Sequence, residues 1–396
     1  MQIPFNVPYY TGREIKLIED VFARGQVCGD GYYTQLVSDL LRSKFGAKKA
    51  LLTTSATHAL ELAALLLELK PGDEVIMPSF TFPSTANAVL LRGATPVFVE
   101  IDLETLNIDP KAVAARITQQ TKAIIPVHYG GISCKMDELM ALADLRGIMV
   151  IEDAAQAVNA SYQGRYLGTW GQFGCFSFHG TKNFSCGEGG AILLNTEDPT
   201  IFKRADILIQ KGTNRKQFLQ GEVAKYCWVD QGSSYTPSEI LMAVLYAQLE
   251  VMEEITARRQ EIHQRYSDGL QSFVTQGAIR ISAIPPNCQS NYHLFYIILE
   301  SESLRDRVKR ELGEKGIASA FHYVPLHSSA MGQSLGYAPA DLPVTEDLSR
   351  RLLRLPLSTG MTEAEVEYVI TSLSAILERL IKQRKANENL SSNPGL

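Results

Sequence analysis

A lysine follows a strand-like run in the stretch Cys175-Phe176-Ser177-Phe178-His179-Gly180-Thr181-Lys182-Asn183. The apolar run ends at Phe178, and three glycines around Glu188 lead into a second strand-like run over residues 191–194. A lysine on a turn between two buried strands is partly removed from water, which lowers its pKa and frees the amine. The turn therefore indicates a lysine that attacks carbonyl groups. A solvated surface lysine is the competing interpretation.

The composition is that of a soluble globular protein with room for one large and one smaller domain. The 396 residues carry a formal net charge of −5, which gives no basic footprint for nucleic acid. The longest apolar runs, such as residues 63–67, are too short to span a bilayer. The six cysteines form no Cys-x-x-Cys pair and the N-terminus does not resemble a signal peptide, so we expect a cytoplasmic protein.

Strand-like and helix-like segments alternate on the N-terminal side of the lysine. Apolar strands are predicted over residues 49–53, 74–77, 95–99, 122–127 and 148–151, and helices occupy the intervals between them. Strands that are apolar throughout and alternate with helices predict a parallel sheet that is covered on both faces. In such sheets, ligands bind beyond the carboxyl ends of the strands.

Polar residues follow three of these strands. The hydroxyl-rich segment 54–58 begins a helix, where free backbone N–H groups favour a phosphate, although simple helix capping is an alternative. The segment 79–82 brings two aromatic rings that could stack on a flat ligand or pack in the core. Asp153 ends a buried strand and needs a cationic or hydrogen-bonding partner, unless it only caps a helix.

Several common sites are disfavoured. No G-x-G-x-x-G opens a helix after the first strand, which argues against a dinucleotide site, and no phosphate-binding G-x-x-x-x-G-K-[ST] occurs. His322 and His327 do not form a zinc motif, and no carboxylate cluster has metal spacing, so no metal is expected.

The remainder of the chain suggests a second domain. We predict a large domain over residues 1–245, a small α+β domain over 246–384 that begins with a linking helix, and a disordered tail over 385–396. The extended lead-in contains a helix over 14–23 and the loop Cys28-Gly29-Asp30-Gly31, which could approach a ligand or be an ordinary turn.

Taken together, these motifs resemble the sugar aminotransferases of the DegT/DnrJ/EryC1/StrS family. The resemblance rests on the ordered set Ser55-Ala56-Thr57, Ser79-Phe80-Thr81-Phe82, Glu152-Asp153-Ala154-Ala155-Gln156, Ser177-Phe178-His179 and Lys182-Asn183, followed by the glycines around Glu188. It covers nearly the whole chain. It implies the α/β type I pyridoxal-phosphate fold, with a mostly parallel sheet between helices in the large domain and a smaller C-terminal α+β domain.

The resemblance also implies roles around a pyridoxal 5'-phosphate ring. Lys182 would hold the cofactor covalently and move the proton between substrate and cofactor. Asp153 would keep the pyridine nitrogen protonated so that the ring accepts electrons. Gln156 would reach the phenolic oxygen, and Phe82 would stack on the ring.

Four further residues would hold phosphate groups. The resemblance assigns Thr57, the backbone N–H of His58, and Ser177 to the cofactor phosphate of the same subunit. Ser234 would reach the phosphate of the neighbouring subunit in a homodimer, although many relatives carry asparagine there.

For substrates, the resemblance implies a dTDP-linked keto sugar as amino acceptor and L-glutamate as donor. We expect Lys211 and Arg215 to bind the diphosphate, and His322, Tyr323 and His327 to line the sugar and nucleotide end. A solvated basic loop and ordinary core histidines are the alternative. Other nucleotide-sugar 3- or 4-aminotransferases, a sugar dehydratase and a non-catalytic regulator are alternative functions. Lys182 argues against the dehydratase, whose relatives carry histidine there.

Overall fold

The structure is a computed structural model that describes residues 1–391, with side chains over residues 1–384. Within it, the β-strands are β1 Lys49–Thr53, β2 Glu74–Pro78, β3 Thr95–Val99, β4 Thr121–Ile124, β5 Met149–Asp153, β6 Ser161–Tyr162, β7 Arg165–Tyr166, β8 Phe173–Ser177, β9 Gly190–Leu194, β10 Arg280–Ile281, β11 Cys288–Gln289, β12 Phe295–Ile298 and β13 Leu352–Leu355. The α-helices are α1 Glu14–Ala23, α2 Tyr32–Phe45, α3 Ala56–Leu66, α4 Pro83–Leu90, α5 Pro110–Arg116, α6 Met136–Arg146, α7 Pro199–Ile209, α8 Arg215–Leu219, α9 Glu239–Glu250, α10 Met252–Thr275, α11 Glu302–Glu314, α12 Ala330–Ser334, α13 Pro343–Arg351 and α14 Glu363–Ser391. Short 3-10 turns occur at Tyr129–Gly131 and Pro339–Asp341.

A seven-stranded sheet with the order β1-β9-β8-β5-β4-β2-β3 forms the centre of the large domain. Six of its strands run in one direction, and β9 lies antiparallel between β1 and β8. The mostly parallel sheet predicted from the sequence is therefore confirmed. Because six strands share one direction, their carboxyl ends meet at one edge, where a ligand is expected.

Apolar clusters cover both faces of this sheet, as the unbroken hydrophobic strands require. On one face, α2 packs against α9, and the buried Glu239 joins the two helices. Its carboxylate accepts hydrogen bonds from the N–H groups of Gly31 at 3.0 Å, Tyr33 at 2.6 Å and Thr34 at 3.2 Å. These are the unpaired donors at the start of α2, so Glu239 caps that helix from a distance.

The second part of the chain builds a three-stranded sheet, β10-β12-β13, with its own core against α10, α11 and α14. The predicted linking helix is two helices, α9 and α10, which are separated at Val251. Helix α14 continues to Ser391, through residues that the sequence assigns to a tail, and residues 392–396 lie outside the described part. Within the described residues, no helix combines the length and apolar character needed to span a membrane.

Candidate active site

A cavity of about 530 Å³ lies at the carboxyl ends of the central strands. Its walls come from the residues after β1, β5 and β8, from the lysine turn, and from the small domain. Eight residues that were predicted to form the site line this one cavity: Thr57, Phe82, Asp153, Gln156, Ser177, Lys182, His322 and Tyr323.

The lysine turn is held in place by backbone hydrogen bonds. The N–H of Phe178 donates to the carbonyl of Gly189 and that of Gly180 to the carbonyl of Gly187, both at 2.8 Å, so the chain returns on itself around Lys182. Burial of the amine lowers the pKa of Lys182 from 10.5 to about 8, and the carboxylate of Asp153 partly opposes this shift. A substantial fraction of this lysine is therefore a free amine near neutral pH.

The carboxylate of Asp153 is buried and accepts two hydrogen bonds from the described part of the chain. Thr85 Oγ1 donates to it at 2.7 Å and the N–H of Ala155 at 3.2 Å. Burial raises the pKa of Asp153, and among the described side chains no cationic nitrogen forms an ion pair with it within 4 Å. A buried carboxylate without a cationic partner is costly. The protonated ring nitrogen of a ligand would supply such a partner.

The neighbouring Glu152 fixes the end of β5. Its buried carboxylate accepts from the N–H groups of Gly168, Trp170 and Gly171 at 2.6 to 2.8 Å, and from His128 Nε2 at 3.0 Å. These contacts anchor the strand so that the side chain of the next residue, Asp153, projects into the cavity.

Gln156 connects the two domains at the cavity. Its Nε2 donates to the hydroxyl oxygen of Tyr323 at 2.9 Å, while its Oε1 accepts from the N–H of Gly130 at 2.8 Å. His322 Nδ1 lies 3.0 Å from the hydroxyl of Tyr129. The loop that follows β12 and α11 thus brings His322 and Tyr323 against the large domain.

Hydroxyl groups surround the N-terminus of α3 at one end of the cavity. Thr57 Oγ1 lies 2.7 Å from Ser84 Oγ, and Ser55 and Ser177 line the same wall. The N–H of His58 donates to Ser55 Oγ at 3.2 Å, so Ser55 is the N-cap of the helix. This set of donors at a helix N-terminus suits an anion such as a phosphate.

Phe82 stands beside this hydroxyl cluster, at the N-cap of α4. Its side chain is 59% exposed although it lines the cavity, whereas Phe80 on the same loop is buried. A ring left uncovered at a cavity wall suits stacking on a flat ligand.

The remaining predicted residues, His58 among them, do not line the cavity. His327 is fully buried, with Nδ1 2.7 Å from Ser79 Oγ and Nε2 3.6 Å from the carboxylate of Glu346. Lys211 and Ser234 lie in two paired segments, since Gln210 and Ser234 form a β-bridge and the N–H of Lys211 donates to the carbonyl of Ser233. Arg215 begins α8 next to them.

The loop at residues 28–31 packs against the chain rather than against the cavity. A Cβ atom at Gly29 would lie 2.1 Å from the carbonyl oxygen of Pro237. The absence of a side chain at Gly29 therefore lets the loop pack closely against the segment before α9.

The cavity residues that were not predicted include Phe5, Asn6, His293 and Arg354. Arg354 carried one signal, because it is the single charged residue in the apolar strand Leu352–Leu355. His293 follows Asn291 in a polar run before β12, and its Nδ1 lies 2.8 Å from Asn183 Oδ1. No local pattern marks Phe5 and Asn6, because their position depends on how the lead-in crosses the two domains.

The same fold occurs in several solved structures, aminotransferases among them. A putative sugar aminotransferase from Streptococcus pneumoniae superimposes with a TM-score of 0.90 at 29% identity, over 97% of this chain and 100% of that one, and it has been solved in apo, PMP and PLP forms. The aminotransferase TlmJ from Streptoalloteichus hindustanus gives 0.88 at 30% identity over 96% and 100% of the two chains. DesV from S. venezuelae, solved with a ketimine intermediate, gives 0.86 at 30% identity over 95% and 99%.

A family model for the DegT/DnrJ/EryC1/StrS aminotransferases matches residues 8–374, which is nearly the whole chain. That range contains the lysine turn, the buried Asp153 and the hydroxyl cluster at α3. The chain therefore belongs to the DegT/DnrJ/EryC1/StrS aminotransferase family, which uses pyridoxal phosphate.

Proposed function

We propose that this protein is a nucleotide-sugar aminotransferase that converts dTDP-4-keto-6-deoxyglucose to dTDP-4-amino-4,6-dideoxygalactose with L-glutamate as amino donor. The observation that carries amino transfer is the cavity in which Lys182, with a pKa lowered to about 8, faces the buried Asp153. A free amine beside an unpaired buried carboxylate is the arrangement that pyridoxal-phosphate chemistry needs.

The residues of the cavity fit the cofactor from one end to the other. The hydroxyl groups of Thr57 and Ser177 and the N-terminus of α3 would hold its phosphate. Phe82 would cover one face of the ring, Asp153 would hold the ring nitrogen protonated, and Gln156 would reach the phenolic oxygen. When bound, pyridoxal phosphate supplies the electron sink for the carbon that carries the amino group.

Lys182 has two tasks in this proposal. It holds the cofactor covalently between turnovers, and once displaced it moves a proton at the reacting carbon. Both tasks need the neutral amine, because an ammonium group can neither attack a carbonyl nor accept a proton. The partial burial of the side chain makes that amine available.

The choice of sugar rests on four segments that resemble dTDP-4-amino-4,6-dideoxygalactose transaminase, an enzyme of enterobacterial common antigen synthesis: Cys28-Gly29-Asp30-Gly31, Lys211-Gly212-Thr213-Asn214-Arg215, Gly232-Ser233-Ser234-Tyr235 and Phe321-His322-Tyr323-Val324-Pro325-Leu326-His327. His322 and Tyr323 line the cavity, which supports a role at the sugar. A different nucleotide-sugar 3- or 4-aminotransferase is the second candidate, since about 30% identity to several aminotransferases favours the reaction class above one sugar.

We further propose a homodimer in which one subunit completes the cavity of the other. Ser234, Lys211 and Arg215 lie outside the cavity of their own chain, on adjacent segments that carry several exposed apolar side chains, among them Trp228 at 79%. If a second copy covers this surface, Ser234 would reach the cofactor phosphate in the cavity of that copy, and Lys211 and Arg215 would reach the diphosphate of its nucleotide sugar.

One experiment tests the reaction. The purified protein is incubated with pyridoxal phosphate, L-glutamate and a panel of nucleotide keto sugars, and the products are identified by NMR. We expect the 4-amino galacto product from the dTDP-linked 4-keto sugar. An amino group at C3, a gluco configuration, or a preference for another nucleotide would select the second candidate, and no transfer to any of the sugars would reject both.

A second experiment tests the lysine. The wild-type protein should absorb in the visible with the cofactor bound, and borohydride should trap the cofactor on Lys182, as peptide mass spectrometry would show. Lys182→Ala should lose both signals, whereas Lys203→Ala, which changes an exposed lysine on α7, should retain them. Trapping on another lysine in the wild-type protein would remove Lys182 from the role.

A further inference from the structure

Arg354 is half-buried, and within the described residues its guanidinium forms no hydrogen bond and no ion pair. It lies on β13 and lines the cavity, and its Nε is buried without a hydrogen bond. Within residues 1–384, no carboxylate lies within 4 Å of it, and its closest assigned contact is with the ring of Phe5, 4.6 Å from Cζ to the ring centroid. A buried cation supported mainly by an aromatic face is costly.

Two arginines that are more deeply buried show how this chain satisfies such a group. Arg259 donates to the carbonyl oxygens of Tyr292 at 3.0 Å and His293 at 2.8 Å, and Arg305 Nη2 donates to the carboxylate of Glu302 at 3.4 Å. Both have structural partners within the protein. Arg354 has five N–H donors and faces a cavity, so its partner is expected to come from a ligand.

The position of the guanidinium limits what that ligand can be. In addition to burial, the charge of Arg354 lowers the pKa of Lys182 and that of His322, so it lies on the lysine side of the cavity. The hydroxyl groups of Thr57 and Ser84 gather at the N-terminus of α3, where a phosphate fits better. Arg354 therefore serves an anion close to the reacting centre.

We propose that Arg354 binds a carboxylate group of the amino-acid donor and so selects, for the proposed amino transfer, donors that carry a carboxylate beside the reacting amine. On an α-amino acid, a carboxylate is attached to the same carbon as the reacting amine, so it must lie near Lys182. On a nucleotide sugar, the diphosphate is attached to C1, across the ring from a 4-keto carbon. A guanidinium fork matches the two oxygens of a carboxylate.

The lead-in segment holds Arg354 in place. Ile3 joins the small domain through hydrogen bonds with Gly316 at 2.8 Å and Ala318 at 3.0 Å, and Asn6 Nδ2 donates to the carbonyl of Gly180 on the lysine turn at 3.3 Å. Phe5 lies between these anchors, under the guanidinium. The flat ring restricts Arg354 without using its N–H donors, which stay available for the carboxylate.

The test measures binding of glutarate, which has both carboxylates of glutamate but no amino group and cannot react. Calorimetry with the cofactor-loaded protein compares the wild type with Arg354→Met, Arg354→Lys and the control Arg310→Met, an exposed arginine on α11. We expect the dissociation constant to rise about 100-fold in Arg354→Met, from the strength of hydrogen bonds to charged groups. In Arg354→Lys, which keeps the charge but loses the forked guanidinium, the dissociation constant should rise about 10-fold. In Arg310→Met it should not change.

Unchanged glutarate affinity in a folded Arg354→Met protein, judged by its cofactor absorbance and melting temperature, would overturn the inference. If that variant does not fold, unchanged affinity in Arg354→Lys would do so, and a wild type that does not bind glutarate would also reject it. The affinity for dTDP should be the same in all four proteins, and a selective loss in Arg354→Met would assign the residue to the diphosphate instead. Glutarate binding does not depend on sugar turnover, so a failure of the proposed reaction is a separate result.

Discussion

The protonation of Lys182 gives the sharpest quantitative prediction. Its pKa is lowered from 10.5 to about 8, a difference of 2.5 units. At pH 7, about one lysine in ten would then be a free amine, compared with about one in 3,000 for an unperturbed lysine. The free-amine fraction is thus raised about 300-fold, which is the contribution of the fold to the reactivity of this residue.

The assay is trace acetylation of the cofactor-free protein as a function of pH, with each lysine read by peptide mass spectrometry. The exposed Lys111 reports the behaviour of the reagent in the same sample. The acetylation rate of Lys182 should rise with pH, with its midpoint at about pH 8, and level off more than about one pH unit above that, as the proton is lost. A rise that continues beyond pH 10 would refute the reasoning, because burial would then have no effect on this amine.

Two variants test whether nearby charges control the pKa of Lys182, because they should shift it in opposite directions. Besides burial, the negative charge of Asp153 raises the pKa of Lys182 and the positive charge of Arg354 lowers it. Asp153→Asn should therefore lower the midpoint of acetylation, and Arg354→Met should raise it. Shifts in the same direction would show that general loosening of the cavity, and not charge, controls the lysine.

Three further outcomes are expected. Asp153→Asn should slow proton abstraction from glutamate by orders of magnitude in the cofactor-loaded protein, because the electron sink is lost, while Asp144→Asn on the surface should not; near-normal turnover would remove Asp153 from that role. Arg215→Ala and Lys211→Ala should raise the Michaelis constant for the nucleotide sugar and leave the glutamate half-reaction unchanged, with Lys203→Ala as control; equal effects on both half-reactions would contradict the assignment. Glu239→Gln should destabilise the protein by about 2–3 kcal/mol, because a buried carboxylate that accepts several hydrogen bonds is lost, as a lower melting temperature than that of the exposed Glu254→Gln would show.

The central sheet could be predicted from the sequence because its information is local. The strands Lys49–Thr53 and Thr95–Val99 have the predicted bounds, and the helix Glu14–Ala23 does as well. Asp153, at the end of β5, and Lys182, on the turn after β8, were expected at the cavity for the same reason, because polar residues that follow buried strands lie at the edge of a parallel sheet.

Helix α2 was missed because its start signal is not local. Gly31 at its N-cap has no side chain to bond the first N–H groups, and the acceptor is Glu239, 208 positions later in the chain. The antiparallel direction of β9 could not be predicted either, because the hydrophobic pattern of a strand does not depend on the direction in which the strand runs. The break between α9 and α10 at Val251 contains neither proline nor glycine to reveal it.

The site residue on β13 could not be predicted from the sequence for a related reason. Arg354 sits in a strand whose pattern shows only that one side chain is charged, and its placement in the cavity depends on how the two domains pack. His322 and Tyr323 were identified by resemblance, and the structure adds the contacts that hold them, to Tyr129 at 3.0 Å and to Gln156 at 2.9 Å. Such contacts join residues more than 160 positions apart in the chain.

The charges around Lys182 come from different domains, and this has a consequence for the catalytic cycle proposed above. Asp153 belongs to the central sheet, and Arg354 belongs to the sheet of the small domain. In the absence of donor, the guanidinium adds to the effect of burial and favours the neutral form of the lysine. A carboxylate that binds Arg354 would cancel its charge, and the pKa of Lys182 would then rise. Binding of the donor would thus make the lysine a stronger base at the step in which it must accept a proton, so the residue that selects the donor would also prepare the base.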